Sequence, residues 1–306
     1  MLTSLPWWQS ERFKATLLSV LILAVMLGVW HLATLPKQVV SSQAAPKLTP
    51  EQLEYAKLMG KDPATLAGAD GGGSTTTTTA SAFPTLAVMG ATVVEHLSDP
   101  FYDKGPNDKG IGIQLAHSLG RVGLGYLIAA LVAIPMGFLI GMSPLVYKAL
   151  DPFIQVLKPI SPLAWMPLAL YTIKDSAISG IFVIFICSIW PMLINTAFGV
   201  ASVRKEWLNV ARTLEVSHWR TAFEVILPAA APTILTGMRI SMGIAWLVIV
   251  AAEMLVGGTG VGYFVWNEWN NLSLPNVIFA ILTIGVVGML LDAAFGRLQK
   301  AVSYAD

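Results

Sequence analysis

Glu206-Trp-Leu-Asn-Val-Ala-Arg-Thr-Leu-Glu-Val-Ser-His-Trp-Arg-Thr-Ala-Phe-Glu-Val-Ile-Leu-Pro228 is a charged, amphipathic island in a chain that is otherwise nearly all apolar. Trp207, Ala211 and Leu214 recur at helical spacing and predict one apolar face, while Trp219, Phe223 and Ile226 predict a second. Ser217, between them, is a residue type that caps a new helix. Pro228 is expected to stop that helix, because proline lacks the N–H and clashes with the preceding turn. The expectation is two short helices joined at a bend. Such a face needs cover. A cleft on a soluble partner would supply it, and so would lipid headgroups, with Arg204, Lys205, Arg212 and Arg220 turned to the phosphates.

Around the island, 55% of the 306 residues are hydrophobic and only 12% are charged. Soluble domains carry about 25% charged residues, and the mean hydropathy here is +0.66, so the chain reads as an all-α integral membrane protein. The net charge of +1, with basic residues at span ends, gives no reason to expect nucleic acid. Cys187 is the sole cysteine, which excludes an intrachain disulfide and a cysteine metal site.

Apolar runs of about 20 residues, the length of a membrane helix, fall at 15–35, 120–142, 152–172, 178–200, 233–256 and 275–296. The third is interrupted by Lys158, Pro159, Pro162 and Pro167. Interrupted spans are tolerated where protein or an aqueous path covers the backbone, so a kinked packing helix and a pathway wall both stay open. Residues 15–35 lack a close cleavage site and are expected to be a retained anchor. The Lys/Arg bias of the loops places both termini in the cytoplasm. Arg12, Lys14, Lys148, Arg204, Lys205, Arg212, Arg220, Arg297 and Lys300 then lie inside, against Lys174 in the short outer loops. Residues 1–14 and 301–306 become cytoplasmic tails. Residues 36–113 form a periplasmic insert with a flexible linker at 71–80 and a surface helix at 82–97. Residues 114–300 are a five-helix core, with the polar loop 204–228 inside.

No stretch fits the phosphate-binding pattern G-x-x-x-x-G-K-[ST], and no His/Cys/carboxylate spacing suggests a metal. Gly258 to Gly262 read as a glycine-rich turn. Gly137 and Gly141 form a G-x-x-x-G pair, suited to packing within the chain or to a dimer contact. Trp190 and Asn195, in the fourth span, are residue types that more often serve packing and interhelical hydrogen bonding than substrate contact. Glu253 stands alone in Val248–Leu255. An ionisable group in a span demands a partner or water, so a gate and a structural ion pair both stay open, with Arg239 a partner only across helices.

The register of the island resembles the cytoplasmic loop by which bacterial ABC-importer permeases dock on their ATPase. That pattern is E-A-A, three residues, G, nine residues, I-x-L-P. Asn209-Val210-Ala211, Glu215, Val225, Leu227 and Pro228 occupy it, with Asn209, Val210 and Glu215 standing where the family has Glu, Ala and Gly. Trp207, Arg212, Leu214 and Ser217 belong to the same loop. Ser118–Arg121, Pro135–Gly137, Leu150–Pro152, Ser161–Ala164 with Pro167, and Gly237–Ile240 resemble the branch that imports nitrate, bicarbonate, cyanate, taurine and alkanesulfonates. Asn209–Leu214, Ala252–Gly258, Gly262–Asn267 and Asp99–Gly110 resemble its nitrate-type members.

The resemblance implies six transmembrane helices in the MetI-like ABC permease fold, located in the bacterial cytoplasmic (inner) membrane. It implies a transport subunit and not an enzyme, assembled as a homodimer with two cytoplasmic ATP-binding subunits. Those subunits would hold ATP and Mg, leaving this chain without a cofactor. A periplasmic or lipid-anchored substrate-binding protein would deliver a small anion, nitrate with nitrite, ahead of bicarbonate, cyanate or the sulfonates. Glu253, Trp190, Asn195, Pro162 and Pro167 are the pathway and gating candidates. No Arg or Lys cluster lies within the spans; Lys158 and Arg239, near inner span ends, are the nearest cations. A scaffold holding a cytoplasmic enzyme through loop 204–228 is the competing class. A secondary transporter would need coupling-ion ligands and internal repeats, and the sequence offers neither.

The topology has a direct test in a Cys187→Ser background. Ser74→Cys and Asn107→Cys should react with an impermeant thiol reagent in cells whose outer membrane is permeabilised. Ser217→Cys should react only after lysis, and the reverse pattern would overturn the orientation.

Overall fold

The structure is a computed structural model that describes residues 11–35, 37–40, 76–79, 83–105 and 108–302. The tail before residue 11, residues 303–306 and most of the insert lie outside the described residues. The chain divides into two compact units, Met1–Gly90 and Ala91–Asp306. In the first, α1 (Glu11–Ala33) covers the first expected span, and Phe13–Ala33 is long and apolar enough to cross a membrane. Trp30 closes its end, donating Nε1–H to Pro84 O at 3.0 Å and packing edge-on against Phe83. β1 (Lys37–Val40) pairs antiparallel with β2 (Thr76–Thr79), where the sequence reading expects flexible linker. Threonine is β-branched and favours the extended strand, so a low-complexity run still finds a partner. A helix covers the stretch expected at 82–97, α2 (Leu86–Ser98), started by Thr85, whose Oγ1 accepts from Val88 N–H at 3.4 Å.

The second unit begins at Ala91, within α2, and continues into a hairpin of β3 (Asp103–Gly105) and β4 (Asp108–Lys109), clasped by Lys109 to Asp103 at 3.3 Å. Burial, and then the hydrogen bond to Asp108, push the Tyr102 phenol there up to about 12. Gly112 N–H donates to Pro100 O at 2.7 Å, and an added Cβ on Gly112 would stand 2.6 Å from the Phe101 ring. The helices that follow are α3 (Ile111–Met142), α4 (Pro144–Leu157), α5 (Pro162–Ile173), α6 (Ser176–Ala201) and α7 (Lys205–Thr213). They continue with α8 (His218–Val256), α9 (Val261–Asn270) and α10 (Leu274–Val302).

Two expectations need correction. The span expected at 152–172 is the pair α4 and α5, bent by 92°. Ser143 starts α4 by accepting from Val146 N–H at 3.4 Å, and Pro162 starts α5. Pro159 and Pro162 withhold two N–H groups, and Ser161, before Pro162, turns to the extended conformation, so one straight helix cannot form. Among the described residues five helices are long and apolar enough to span a membrane, six if the bent pair counts as one. The second correction is at Pro228, which does not end a helix. His218–Val256 runs on as one 39-residue helix through a π-helical turn at Thr221–Ile226. Leu227 N–H reaches back to Ala222 O, and the wider turn makes room for the proline ring.

At the centre lies α6, packed chiefly on α3 and α8, with Ile184, Ser188, Met192 and Thr196 at 0% exposure. Glycines set these contacts. An added Cβ on Gly125 would stand 2.8 Å from Ile181 O, and one on Gly141 2.6 Å from Ala197 O. One on Gly137 would stand 2.6 Å from Thr196 Cβ. Of the two readings of Gly137 and Gly141, packing within the chain is therefore the one seen here. Gly141→Leu should cost more than the 1–3 kcal/mol or so of ordinary overpacking, because backbone is in the way. Gly120 meets nothing within 4 Å. Gly141→Leu is expected to lose monodisperse detergent-extracted protein on size-exclusion chromatography, and Gly120→Ala to keep it.

Candidate functional site

The polar island emerges at the end of α6 and folds back on the bundle. Val200, Val203, Ile226, Ala230 and Ile234 form a buried cluster, against which Leu208 of α7 packs. Ala211, one turn on, is 5% exposed. Leu208 and Ala211 thus anchor α7. Its opposite face carries Trp207, Val210 and Leu214, the last 69% exposed. This corrects the predicted faces: Ala211 and Ile226 point into the protein, while Leu214, Trp219 and Phe223 point out. Trp219 and Phe223 stack with ring centroids 6.3 Å apart and planes 14° apart. Beside them an apolar cavity of about 550 Å³ opens against Ile134, Pro135 and Phe138 of α3. Charge rims the exposed face. The Arg204 guanidinium lies 5.6 Å from the Trp207 ring, and Arg220 pairs with Glu224 at 3.1 Å. Asn209 and Arg212 are exposed.

The turn after α7 is closed by two backbone bonds, Val216 N–H to Ala211 O and Glu215 N–H to Arg212 O, both 3.0 Å. This is the pairing of a helix end whose next residue turns left-handed. That residue is Glu215, at φ +49. Ser217 holds the N-cap position of α8 but makes no capping hydrogen bond with its side chain, contrary to expectation. Thr221 Oγ1 donates to Ser217 O at 3.1 Å instead.

A second polar centre lies at the opposite ends of α3 and α8. Glu253 is 3% exposed, and among the described residues Ser118, Arg121 and Gly262 donate to its carboxylate. Ser118 Oγ lies 2.9 and 2.8 Å from its two carboxylate oxygens and shares its one proton between them. Arg121 Nη1 donates to Oε1 at 2.9 Å, and Gly262 N–H to Oε2 at 3.1 Å. Arg121 also donates to Thr259 O at 2.8 Å, Gly260 N–H donates to Gln114 Oε1 at 2.6 Å, and Val261 N–H to Ser118 Oγ at 2.9 Å. The glycine-rich turn is thereby stitched to α3. No side chain fits at Gly260, where a Cβ would overlap the Glu253 carboxylate. Arg239, the partner considered from sequence, instead pairs with Asp292 of α10 at 2.6 Å. Sequence reasoning missed Arg121, Ser118 and Gln114. The available signal was a lone arginine on one apolar helix and a lone glutamate on another.

With this geometry in hand, the family described as "binding-protein-dependent transport system inner membrane component" matches residues 133–304. The chain belongs to that family. It is 47% identical over 208 residues to the nitrate import permease protein NrtB of Synechocystis sp., covering 68% of this chain and 76% of the relative. To the bicarbonate transport system permease protein CmpB of the same organism it is 45% identical over 205 residues, covering 67% and 73%. A chain of the MetNI methionine ABC transporter, in an inward-facing conformation, superposes with a TM-score of 0.56 at 13% identity. That match covers 62% of this chain and 94% of the other, and it shows the MetI-like permease fold.

The protein is thus a multi-pass permease of the inner membrane, a transport subunit and not an enzyme. Such a permease works with ATP-binding subunits and a substrate-binding protein. The remaining candidates of the permease are not among the hydrogen-bond partners of Glu253. Trp190 is half-buried in α6. Asn195 Nδ2 donates to Pro191 O at 2.8 Å, and its Cβ lies where Gly237 of α8 closes in. Pro162 begins α5 at the break, and Pro167 sits exposed within it.

The left-handed turn yields a prediction about Glu215. A side chain in that conformation costs about 1–2 kcal/mol that glycine avoids. Glu215→Gly should raise the melting temperature of the purified permease, while a drop would mean that the Glu215 side chain makes a stabilising contact.

Proposed function

We propose that this permease forms the membrane path of an ATP-driven importer for nitrate, with nitrite as a second cargo. The observation that carries the cargo is 47% identity to a nitrate import permease over 208 residues. A bicarbonate permease at 45% makes bicarbonate the competing cargo, another small monovalent anion. In this reading both termini and the loop 204–228 lie in the cytoplasm, residues 36–113 face the periplasm, and two copies flank the path. ATP and Mg²⁺ sit on the ATPase subunits.

The exposed face of Trp207, Val210, Leu214, Trp219 and Phe223 supports docking of the loop on an ATPase subunit. Five large apolar side chains, seated on a loop that is itself anchored by Leu208 and Ala211, make a stiff plug. Stiffness matters, because closure of the ATPases must be passed up α8 without loss in the loop. The helix that carries Trp219 and Phe223 is the same one that carries Glu253, so a push at the loop reaches the opposite end of the bundle along one rigid element. Glu253 acts there as a tie, holding the outer turn to α3 through Ser118 and Arg121, and takes no cargo.

Leu214→Asp places a charge in the docking face while leaving the anchored face intact. It should insert normally, lose ATPase co-purification, and abolish uptake of labelled nitrate by cells lacking other nitrate transporters. Ala211→Asp would unseat the loop itself and is the less informative change. Wild-type co-purification in Leu214→Asp would reject the docking face. Retained nitrate uptake on deletion of this gene, with loss of bicarbonate uptake, would replace the cargo and spare the importer.

A further inference from the structure

We propose that Lys158, at the break between α4 and α5, is a transient contact for the small oxyanion as it crosses the membrane. This rests on the reading of the chain as an anion permease and names a residue that meets the cargo. Tyr147, Asp151, Gln155 and Lys158 fall on one face of α4 by their spacing. They line a groove of about 460 Å³ together with Leu193 and Phe198 of α6. The other face of α4 is apolar and exposed at Leu145, Phe153 and Val156. The helix therefore has one side made for hydrocarbon and one side polar. A polar stripe within a span belongs where water or protein reaches it.

Charge singles out the lysine within that stripe. Of the other cations on these helices, Arg121 is paired with Glu253 and Arg239 with Asp292, while Lys148 of α4, off the stripe, and Arg297 and Lys300, near the end of α10, have no ion pair among the described residues. Among the described residues no ion pair includes Lys158. Asp151, the nearest carboxylate on its face, accepts from Gln155 Nε2 at 3.3 Å. Lys158 also ends α4, about 21 Å along the helix axis from Pro144. A lysine at a helix C-terminus gains something from the dipole, but less than a position within the hydrocarbon costs it. An aqueous path removes that cost. The break supplies the same logic, since discontinuous membrane helices are tolerated where they line a cavity and are a recurrent place for cargo sites. The groove is larger than a bare small anion needs, which suits a hydrated ion held by one cation. A single weak contact admits the ion and still lets it leave.

The test uses the complete importer with its ATPase and binding protein. Lys158→Gln should insert and retain the ATPase but lower initial nitrate uptake by about tenfold, the loss of one hydrogen bond to a charged group. Lys158→Arg should keep most of the rate. In a Cys187→Ser background, Lys158→Cys should react in inverted membrane vesicles with water-soluble methanethiosulfonates. The 2-aminoethyl reagent, which restores an ammonium at nearly the length of lysine, should recover uptake; the neutral methyl reagent should not. Full uptake by Lys158→Gln, or no reaction of Lys158→Cys with the charged reagents, would place the residue against lipid and overturn the proposal. If Lys158→Gln misassembles, rescue of the cysteine variant decides. If the wild-type importer carries no nitrate, the cargo reading fails separately, and reagent access to the Lys158→Cys variant still decides whether this residue faces the path.

Discussion

Helices already dissolved in hydrocarbon gain little by burying apolar side chains against one another, so close approach must hold the bundle. That constraint explains why α6 is the hub. Gly125, Gly137 and Gly141 let α3 lie on it at backbone distance, and Gly237 and Gly199 do the same for α8. Dispersion between surfaces at such range is summed over many atom pairs. Away from the Glu253 network, two hydrogen bonds among the described residues cross the contact. Ser241 Oγ donates to Ser188 O at 2.7 Å, joining α8 to α6, and Tyr126 Oη donates to Met238 O at 3.0 Å, joining α3 to α8. The rest of the architecture hangs from this three-helix contact, with α10 far more exposed along its length.

From that hub the long helix α8 reaches both polar ends of the bundle. At one end it begins inside the loop 204–228, and the π-helical turn lets Pro228 sit within it. At the other it ends at Gly257, in a turn held by Glu253, Arg121, Ser118 and Gln114. A buried ion pair is a poor source of net stability, but breaking one partner out of it is strongly destabilising. The network therefore serves to fix one geometry of the turn. Glycine at 260 and 262 is part of that device, because the carboxylate and the Val250 carbonyl occupy the space a Cβ would take.

The charges inside the spans divide by their partners. Glu253 with Arg121 and Arg239 with Asp292 are ties between helices, α8 to α3 and α8 to α10. Lys158 has no such tie and stands where the span is broken. A lone charge at a break and a paired charge between helices have different consequences: the first can meet a passing ion, and the second holds the walls in place. An importer fed by a binding protein needs both, a rigid frame and a path with only weak attraction for its cargo.

The membrane class, all but one of the helical spans and the amphipathic island at 206–228 were legible in the sequence. Apolar length fixes a span because hydrocarbon forbids unpaired backbone, and an amphipathic stretch between spans needs cover from a partner or from lipid headgroups. The left-handed position at Glu215 was marked only by the resemblance, where the family carries glycine. The tertiary structure decided what spacing cannot. Helical period put Trp207, Ala211 and Leu214 on one face, yet about a sixth of a turn separates an anchored Ala211 from an exposed Leu214, and only the position of the buried cluster tells them apart. Pro228 looked like a stop because a π turn is invisible to pattern. Glu253 had no partner in its own neighbourhood of sequence, since Arg121 lies on another helix and meets it only when glycines let α3, α6 and α8 close on one another.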